Sequence, residues 1–328
     1  MLTDKLARVP IAYLPTPLDK LSRLTAQLGG PELWIKRDDQ TGLATGGNKA
    51  RKLEFLVADA QAMDADTLIT GGAAQSNHAR QTAAAAAMFG LGRVLVLRGE
   101  EPPETRGNLL LDRLLGAEVR WAGAQPVPEM MERVAEELRA TGRRPYVVPY
   151  GGSNSVGASG YVAALEELLA QCAERELHFD HIVLPSSSGG TQAGLAVGAR
   201  ALGYEARILG ISIDLHTEPL QHKLADLATA TAEHLGLALA FAPQDFAVND
   251  DYLGGGYGVV SDLERDAIRT LARSEGLLLD PVYTGRAFGG LLDLIRRGAL
   301  GAGERVLFWH TGGTTGLFGY GAAAWPKW

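Results

Sequence analysis

Cysteine is almost absent from this sequence. Of its 328 residues only Cys172 is a cysteine, so the chain cannot form an internal disulfide. Cys172 lies in an amphipathic stretch, and we interpret it as a helix packing residue rather than a nucleophile. The first residues lack the basic patch followed by an apolar core that marks a secretory signal peptide. A cytoplasmic location is therefore expected.

Positive charge and long apolar runs are also scarce. The 31 Lys and Arg residues are outnumbered by 38 Asp and Glu residues, which gives a net charge of −7. This balance argues against a surface that binds nucleic acid or an anionic membrane. The longest apolar run, Ala83–Leu97, contains glycines and Arg93 and changes its period midway. We expect a helix that leads into a strand there, not a membrane span.

The motifs of several enzyme classes are missing. The seven histidines show no His-x-x-x-His or His-Glu-x-x-His spacing and there is no cysteine cluster, so no metal site is predicted. The chain lacks the Gly-Lys-Ser/Thr of a Walker loop. It also lacks Gly-x-Gly-x-x-Gly, which argues against a nicotinamide-dependent dehydrogenase. A serine hydrolase is disfavoured because Gly-x-Ser-x-Gly does not occur.

Glycine, by contrast, is abundant. It accounts for 41 of 328 residues, compared with about 7% in an average protein. The hydrophobic fraction of 46% and the charged fraction of 21% are typical of globular proteins. Because no collagen repeat is present, the excess glycine predicts many tight turns and places where the backbone approaches a ligand.

Short β-branched runs alternate with amphipathic stretches along the chain, without a fixed repeat. This alternation predicts an α/β protein with two doubly wound, mostly parallel sheets that are covered on both faces. Clusters rich in Gly, Asn and Ser at residues 45–48 and 151–159 bracket a run of strand–helix units. We therefore predict a smaller α/β domain at residues 49–157. It is inserted in a larger, cofactor-binding α/β domain formed by residues 1–48 and 158–328.

Two glycine-rich segments precede predicted helices in the first third of the chain. Thr45–Lys49 places Lys49 in a first helical turn, where the helix dipole favours the neutral amine that imine formation requires. Taken alone, a solvated lysine is the more frequent explanation. Gly71–His78 follows a predicted strand, and its polar side chains would form either a helix N-cap or a carboxylate cradle. His78 is as compatible with a structural hydrogen bond as with catalysis.

Further candidate loops lie in the second half of the chain. Pro185–Thr191 would expose successive N–H groups at a helix N-terminus, as a phosphate cup does, although a flexible turn is an equal alternative. Thr311 ends a buried strand, and we expect its hydroxyl to face the cleft. Tyr257 and Tyr283 lie in glycine-containing loops and are candidate proton donors. Core packing is the alternative for both tyrosines.

Together these segments resemble the tryptophan-synthase-β-like, fold type II class of pyridoxal-phosphate enzymes. The resemblance is to the branch that contains D-cysteine desulfhydrase and 1-aminocyclopropane-1-carboxylate (ACC) deaminase, and it runs from Leu14 to Gly313. Three segments are specific to this branch: Gly-Gly-Asn-Lys-x-Arg-Lys-Leu-Glu, Gln-Ser-Asn-His-x-Arg-Gln-Thr-Ala and Asp-Pro-Val-Tyr-Thr-Gly.

The resemblance implies a role for each matching residue. Lys49 would hold pyridoxal 5'-phosphate covalently, with Lys52 as the less favoured alternative one turn further along. Asn77 would bind the cofactor's phenolic oxygen, and Thr311 would face its pyridine nitrogen. The phosphate loop matches Ser188, Gly189, Gly190 and Thr191. The implied catalytic residues are Lys49, Ser76, Tyr257 and Tyr283, and the implied substrate-binding residues are Ser76, Asn77, His78 and Tyr283.

The resemblance also implies an activity. It points to a β-eliminating lyase that converts D-cysteine to pyruvate, hydrogen sulfide and ammonia, and to a homodimer. The similar ACC deaminases carry glutamate directly after the second tyrosine, where this chain has Thr284. That difference favours desulfhydration over ACC deamination. L-cysteate sulfo-lyase shares the same framework and stays open, and a non-catalytic binding protein on this fold would leave Lys49 idle.

Overall fold

Two separate β-sheets organise the chain, which the computed structural model describes at residues 1–321, 324 and 325. The larger sheet has the strand order β1-β2-β10-β7-β8-β9, and the smaller has the order β5-β4-β3-β6. The strands of the larger sheet are β1 (Leu18–Lys20), β2 (Glu32–Arg37), β7 (His181–Ser186), β8 (Arg207–Ser212), β9 (Ala247–Asn249) and β10 (Arg305–His310). Those of the smaller sheet are β3 (Thr67–Gly72), β4 (Gly92–Leu97), β5 (Glu118–Trp121) and β6 (Pro145–Val147).

Helices cover both sheets. They are α1 (Ser22–Leu28), α2 (Lys49–Ala62), α3 (Asn77–Met88), α4 (Gly107–Leu114), α5 (Val127–Ala140), α6 (Ser155–Glu174), α7 (Gly190–Leu202), α8 (Thr217–His234), α9 (Asp262–Glu275) and α10 (Thr284–Arg296). Short 3-10 helices occur at Asp38–Gln40, Leu43–Thr45, Tyr150–Gly152, Pro243–Asp245 and Thr314–Phe318. None of the helices in the described part of the chain is long and apolar enough to cross a membrane.

The predicted α/β class with two mostly parallel sheets is confirmed. Every named strand pair is parallel except β1 with β2, which run antiparallel with Leu18 opposite Lys36. All four strands of the smaller sheet lie between residues 67 and 147. The assignment of residues 49–157 to a domain of its own stays a prediction.

The central strand β10 shows why the larger sheet is buried on both faces. Val306 and Phe308 belong to one apolar cluster, whereas Leu307 and Trp309 belong to the cluster on the opposite face. Successive strand residues point to opposite faces, so a strand with core on both sides is apolar throughout. Cys172 is buried in the second cluster, where it packs as expected.

Candidate active site

The cleft of interest lies where several strands end and helices begin. Nine of the eleven residues predicted for the site line it: Lys49, Ser76, Asn77, His78, Ser188, Gly189, Thr191, Tyr283 and Thr311. Seven of them follow β3, β7 or β10, and parallel strands bring such loops to one edge of their sheets. Lys49 begins α2, after β2 and two 3-10 helices, and Tyr283 lies between α9 and α10. The other two, Gly190 and Tyr257, do not line the cleft but contact residues that surround it, as described below.

Lys49 begins α2 and reaches the cleft from a tightly packed turn. The preceding Gly47 has φ +129°, and a Cβ there would lie 2.6 Å from Gln81 Nε2, so only glycine fits. Burial lowers the pKa of Lys49 to about 8, and the charge of Lys223 contributes to the shift. The amine is thus partly neutral near physiological pH. Burial, rather than the helix dipole invoked from the sequence, is the principal cause.

Lys52 follows Lys49 by one helical turn, and the two amines interact with each other. Lys52 is fully buried, and its Nζ donates to Gly151 O at 3.1 Å and to Ser153 Oγ at 3.0 Å. Burial and the neighbouring charge of Lys49 hold the pKa of Lys52 well below its usual value. A Cβ at Gly190 would lie 2.7 Å from this amine. Lys52 therefore borders the predicted phosphate loop, a position that the sequence interpretation missed. The three-residue spacing on one helix face was its only sequence signal.

The loop between β7 and α7 has the form of an anion cup. Gly189 has φ +89° and turns the chain into α7, which presents its first N–H groups toward the cleft. Ser188 Oγ lies 2.7 Å from Ser153 Oγ, and Gly190 N donates to that same oxygen at 3.2 Å. Ser186 Oγ lines the cleft, is buried and has no hydrogen-bond partner among the described residues.

These donors together suit a phosphate group. Free helix N–H groups and a buried amine stabilise a bound oxyanion, and an unpaired buried hydroxyl gains a partner from it. Thr191 Oγ1 accepts from Asn48 Nδ2 at 3.1 Å, so the cup is also tied to the residue directly before Lys49. The residues present therefore fit a phosphorylated cofactor that is attached to Lys49.

Ser76 serves as the N-cap of α3. Its Oγ accepts from Ala79 N at 3.1 Å, which is the structural role weighed for it from the sequence. A hydroxyl that accepts a cap hydrogen bond still has its own O–H to donate. Because Ser76 also lines the cleft, the cap and the predicted carboxylate cradle are compatible.

His78 is held neutral. Its Nε2 lies 2.8 Å from Thr70 Oγ1, and that hydroxyl donates to Val148 O at 2.9 Å. The Thr70 hydroxyl has therefore used its proton, so His78 Nε2 must be the donor. Burial, together with the charges of Lys49 and Lys52, lowers the pKa of His78 well below its usual value. His78 is thus unsuited to be a general acid near neutral pH.

Three tyrosines meet at one side of the cleft. Tyr257 OH lies 2.5 Å from the hydroxyl of Tyr283, which lines the cleft. The glycine-rich loop that contains Tyr257 therefore brings it to the site. Burial raises the pKa of both residues, which keeps the phenols protonated at neutral pH. Tyr150 also lines the cleft and forms a side-chain hydrogen bond with Tyr257. The sequence interpretation missed Tyr150, although it stands beside the glycine-rich cluster at 151–159.

Thr311 and Thr284 have different surroundings. Thr311 lines the cleft, and its carbonyl oxygen accepts from Asn48 N at 2.9 Å. Thr284 is fully buried, donates to Asp280 Oδ1 at 2.7 Å and takes no part in the lining. Asp280 in turn accepts from the N–H groups of residues 282–284, which caps the start of α10.

The lining carries no free carboxylate. Among the described residues that line the cleft there is no Asp or Glu, and Lys49 is the single Lys or Arg. Nor do the described residues contain a group of three or more His, Cys, Asp or Glu that could hold a metal ion. The arrangement can therefore bind an oxyanion, supply an amine and donate protons from hydroxyls.

An amine of lowered pKa and an anion cup line one cleft, at the ends of strands from two mostly parallel sheets. This combination is typical of one class of enzyme. The chain belongs to the family of pyridoxal-phosphate dependent enzymes, whose family model matches residues 9–312. It has the fold type II architecture of that family. Pyridoxal phosphate is the cofactor of the family.

Individual relatives identify the branch of the family to which the chain is similar. The chain is 44% identical to D-cysteine desulfhydrase of Salmonella typhi, over 95% of this chain and 96% of that protein. It is 41% identical to 1-aminocyclopropane-1-carboxylate deaminase of Methylobacterium nodulans, over 97% of this chain and 98% of that protein. A crystal structure of an ACC deaminase homologue superimposes with a TM-score of 0.91 at 43% identity and covers 98% of this chain and 97% of its own. The resemblance to this branch is thus confirmed. The names of the relatives do not distinguish D-cysteine from ACC as the substrate.

Proposed function

We propose that this chain is a D-cysteine desulfhydrase of D-amino acid metabolism. The net reaction converts D-cysteine and water to pyruvate, hydrogen sulfide and ammonia. The observation that carries the proposal is the position of the Lys49 amine, whose pKa is lowered to about 8, in a cleft that Ser188, Gly189 and Thr191 of the anion cup also line. The identity of 44% to a protein named D-cysteine desulfhydrase is compatible with this substrate, and the choice of D-cysteine over ACC rests on the lining of the cleft.

Each residue of the cleft has a role in this proposal. Bound pyridoxal phosphate supplies an electron sink for the bond that is broken next to the substrate's α-carbon. Lys49 attaches the cofactor and, once its amine is free, holds the α-proton on Nζ. Ser188, Gly189, Gly190 and Thr191, with Lys52 beside them, hold the phosphate. Asn77 donates to the phenolic oxygen, and Thr311 faces the pyridine nitrogen.

The remaining residues act on the substrate. Ser76 and Asn77 bind its carboxylate by hydrogen bonds, because the lining offers no arginine for an ion pair. His78 donates its only ring N–H to Thr70, so it adds its backbone N–H in the first turn of α3. The protonated pair Tyr283 and Tyr257 can give a proton to the departing sulfur. Neutral His78 takes part as a hydrogen-bonding group and not as an acid.

The absence of a carboxylate from the described lining favours D-cysteine over ACC. ACC has no α-hydrogen, so opening its ring requires a strongly electron-withdrawing, protonated pyridine. A carboxylate would stabilise that proton, whereas a hydroxyl such as that of Thr311 does not. The lining also lacks the extra cation that the sulfonate of L-cysteate would require, since Lys49 is already used. β-Elimination from D-cysteine is the reaction that this set of groups suits best.

A parallel substrate assay tests the proposal. We expect hydrogen sulfide release from D-cysteine to exceed both that from L-cysteine and ammonia release from ACC by about a hundredfold or more in kcat/KM, which corresponds to about 3 kcal/mol of additional transition-state stabilisation. Sulfite release from L-cysteate is measured alongside, and a Lys49→Ala variant provides the background. ACC turnover equal to or faster than D-cysteine turnover would reverse the assignment in favour of ACC deaminase.

The lowered pKa of Lys49 makes a second prediction. The neutral amine is the form that reacts with an aldehyde, and it is populated above the pKa of about 8. We expect the rate at which the apo-protein takes up pyridoxal phosphate to rise about tenfold per pH unit below that value and then level off. Stopped-flow absorbance measures this rate. An Nα-acetyl-lysine control should continue to rise to about pH 10.4. A protein profile that follows the control would contradict a lowered pKa.

We further propose that the enzyme is a cytoplasmic homodimer. The single, buried Cys172 suits a reducing compartment, and the fold type II resemblance implies a dimer. Light scattering of the purified holoenzyme tests the assembly. A mass equal to the 34.8 kDa of one chain would exclude the dimer.

A further inference from the structure

A buried hydrogen-bond chain leads from the interior to Asn77 in the cleft. Its members are Arg80 on α3, Asn108 on α4 and Asn77 at the start of α3. Arg80 and Asn108 are both fully buried. Neither lines the cleft, and no role was assigned to Asn108 from the sequence.

Arg80 fixes the orientation of Asn108. A guanidinium has donors only, so an amide group that faces it must present its oxygen. Arg80 Nη1 donates to Asn108 Oδ1 at 3.0 Å. On its other side, Asn108 Nδ2 donates to Gln75 O, a carbonyl that can only accept, at 2.9 Å. A donor-only group and an acceptor-only group thus hold the two ends of the Asn108 amide, which leaves it a single orientation.

Asn108 in turn fixes the orientation of Asn77. Asn108 Nδ2 also donates to Asn77 Oδ1, at 3.0 Å. Because that contact must be filled by an acceptor, Asn77 presents its oxygen to Asn108 and leaves its Nδ2 for other partners. Gly313 follows the cleft-lining Gly312 and lies beside this nitrogen. A Cβ on Gly313 would lie 2.6 Å from Asn77 Nδ2, so a side chain there would collide with the amide group. The carboxamide therefore offers a donor, not an acceptor, away from Asn108.

We infer that Asn108 is a positioning residue that makes Asn77 a permanent hydrogen-bond donor to the cofactor's phenolic oxygen. This inference rests on the proposed function, since it needs the cofactor in the cleft. An isolated asparagine could rotate by half a turn and offer its oxygen instead, which would repel a phenolate. The buried Arg80 removes that alternative through Asn108, without touching the cofactor itself. A donor at this position stabilises the deprotonated phenolic oxygen and lowers the pH at which the bound cofactor changes its absorption band.

The test is a substitution at residue 108 that reverses the direction of its hydrogen bond with Asn77, so that residue 108 accepts instead of donating. In Asn108→Asp, one carboxylate oxygen still pairs with Arg80, but the other is an acceptor where the amide was a donor. Asn77 must then turn its Nδ2 toward residue 108 and its oxygen toward the cofactor. We expect the midpoint of the bound cofactor's absorbance titration to rise by about one pH unit, the size expected for a reversed charge-assisted hydrogen bond. Asn108→Ala frees Asn77 to adopt either orientation and should give a smaller shift in the same direction.

Thr315→Val is the matched control. Thr315 Oγ1 is the other acceptor of Arg80 Nη1, at 2.8 Å, and it has no hydrogen bond to Asn77. If the residues near Arg80 matter only for packing, this variant should shift the midpoint as much as the Asn108 variants do. Should Asn108→Asp fail to fold, Asn108→Ala decides the question alone. Midpoints in the Asn108 variants no higher than that of Thr315→Val overturn the inference. A wild-type protein that binds no pyridoxal phosphate would instead refute the proposed function.

Discussion

Replacing Lys49 by alanine should abolish turnover of D-cysteine. We expect kcat/KM to fall by about four orders of magnitude or more, because the variant loses both the attachment point of the cofactor and the base that holds the α-proton. Pyridoxal phosphate should still enter the cleft, since the anion cup at residues 188–191 is unchanged. It should be released by dialysis, because no covalent bond would retain it.

Borohydride reduction distinguishes Lys49 from Lys52 as the point of attachment. In the wild type we expect reduction to bleach the absorption band and to fix the cofactor on the peptide that contains Lys49, as mass spectrometry would show. Lys52 should not substitute for it, because its amine is bonded to Gly151 O and Ser153 Oγ. An exposed residue provides the control, and Lys5→Ala should keep full activity. Cofactor recovered on Lys52 or undiminished turnover in Lys49→Ala would disprove the assignment.

The sequence predicted the loops of the site better than the contacts between them. Lys49, Asn77 and Ser188 were identified from short motifs at strand–helix junctions, where local chemistry and position along the chain carry the information. The hydrogen-bond partner of the Lys52 amine could not be predicted from a short motif. Its amine bonds to Gly151, which is 99 residues away in the sequence. Such contacts depend on how α2 packs, and no local pattern records that.

Two strands of the larger sheet are not among the short β-branched runs from which the sheets were predicted. β1 (Leu18–Lys20) and β9 (Ala247–Asn249) contain three residues each and at most one β-branched residue, whereas the equally short β6 (Pro145–Val147) contains Tyr146 and Val147. Each adds to an edge of the larger sheet, so its stability comes from the neighbouring strand rather than from its own residues.

Arg51, in contrast, belongs to a motif that was recognised from the sequence. The reason for an arginine at that position appears only in the fold.

Arg51 anchors the helix that carries Lys49 to the larger sheet. It lies two residues after Lys49, and its guanidinium pairs with Asp38 at 2.9 Å and with Glu167 at 2.8 Å. Asp38 also accepts from Tyr161 OH at 2.6 Å and from Trp309 Nε1 at 2.7 Å. This fully buried carboxylate therefore connects α2 to α6 and to the central strand β10. The position of the Lys49 amine depends on it.

Asp38→Asn should consequently cause the largest loss of stability in this set of variants. The substitution keeps the shape of the side chain but leaves the buried charge of Arg51 with one carboxylate fewer. We expect the free energy of unfolding, from chemical denaturation, to fall by about 3–5 kcal/mol, as when one partner of a buried ion pair is removed. Glu118→Gln breaks the exposed pair with Arg120 at 2.5 Å and should cost less than about 1 kcal/mol. Equal losses of unfolding free energy in the two variants would show that the buried ion pair stabilises the fold no more than an exposed one does.

The pH dependence of unfolding gives an independent measure of the same network. Burial alone would raise the pKa of Asp38, but Arg51, with help from Lys36 and Tyr161, outweighs burial and holds the pKa below its usual value. A carboxyl whose pKa is lower in the folded state contributes stability above its unfolded pKa of about 3.9, and this is lost as the pH falls through the folded value. Wild type should therefore lose stability more steeply in acid than Asp38→Asn does, and the two denaturation curves should converge at low pH. Because the same carboxylate holds α2 in place, the variant should also bind pyridoxal phosphate more weakly at neutral pH, whereas Glu118→Gln should not.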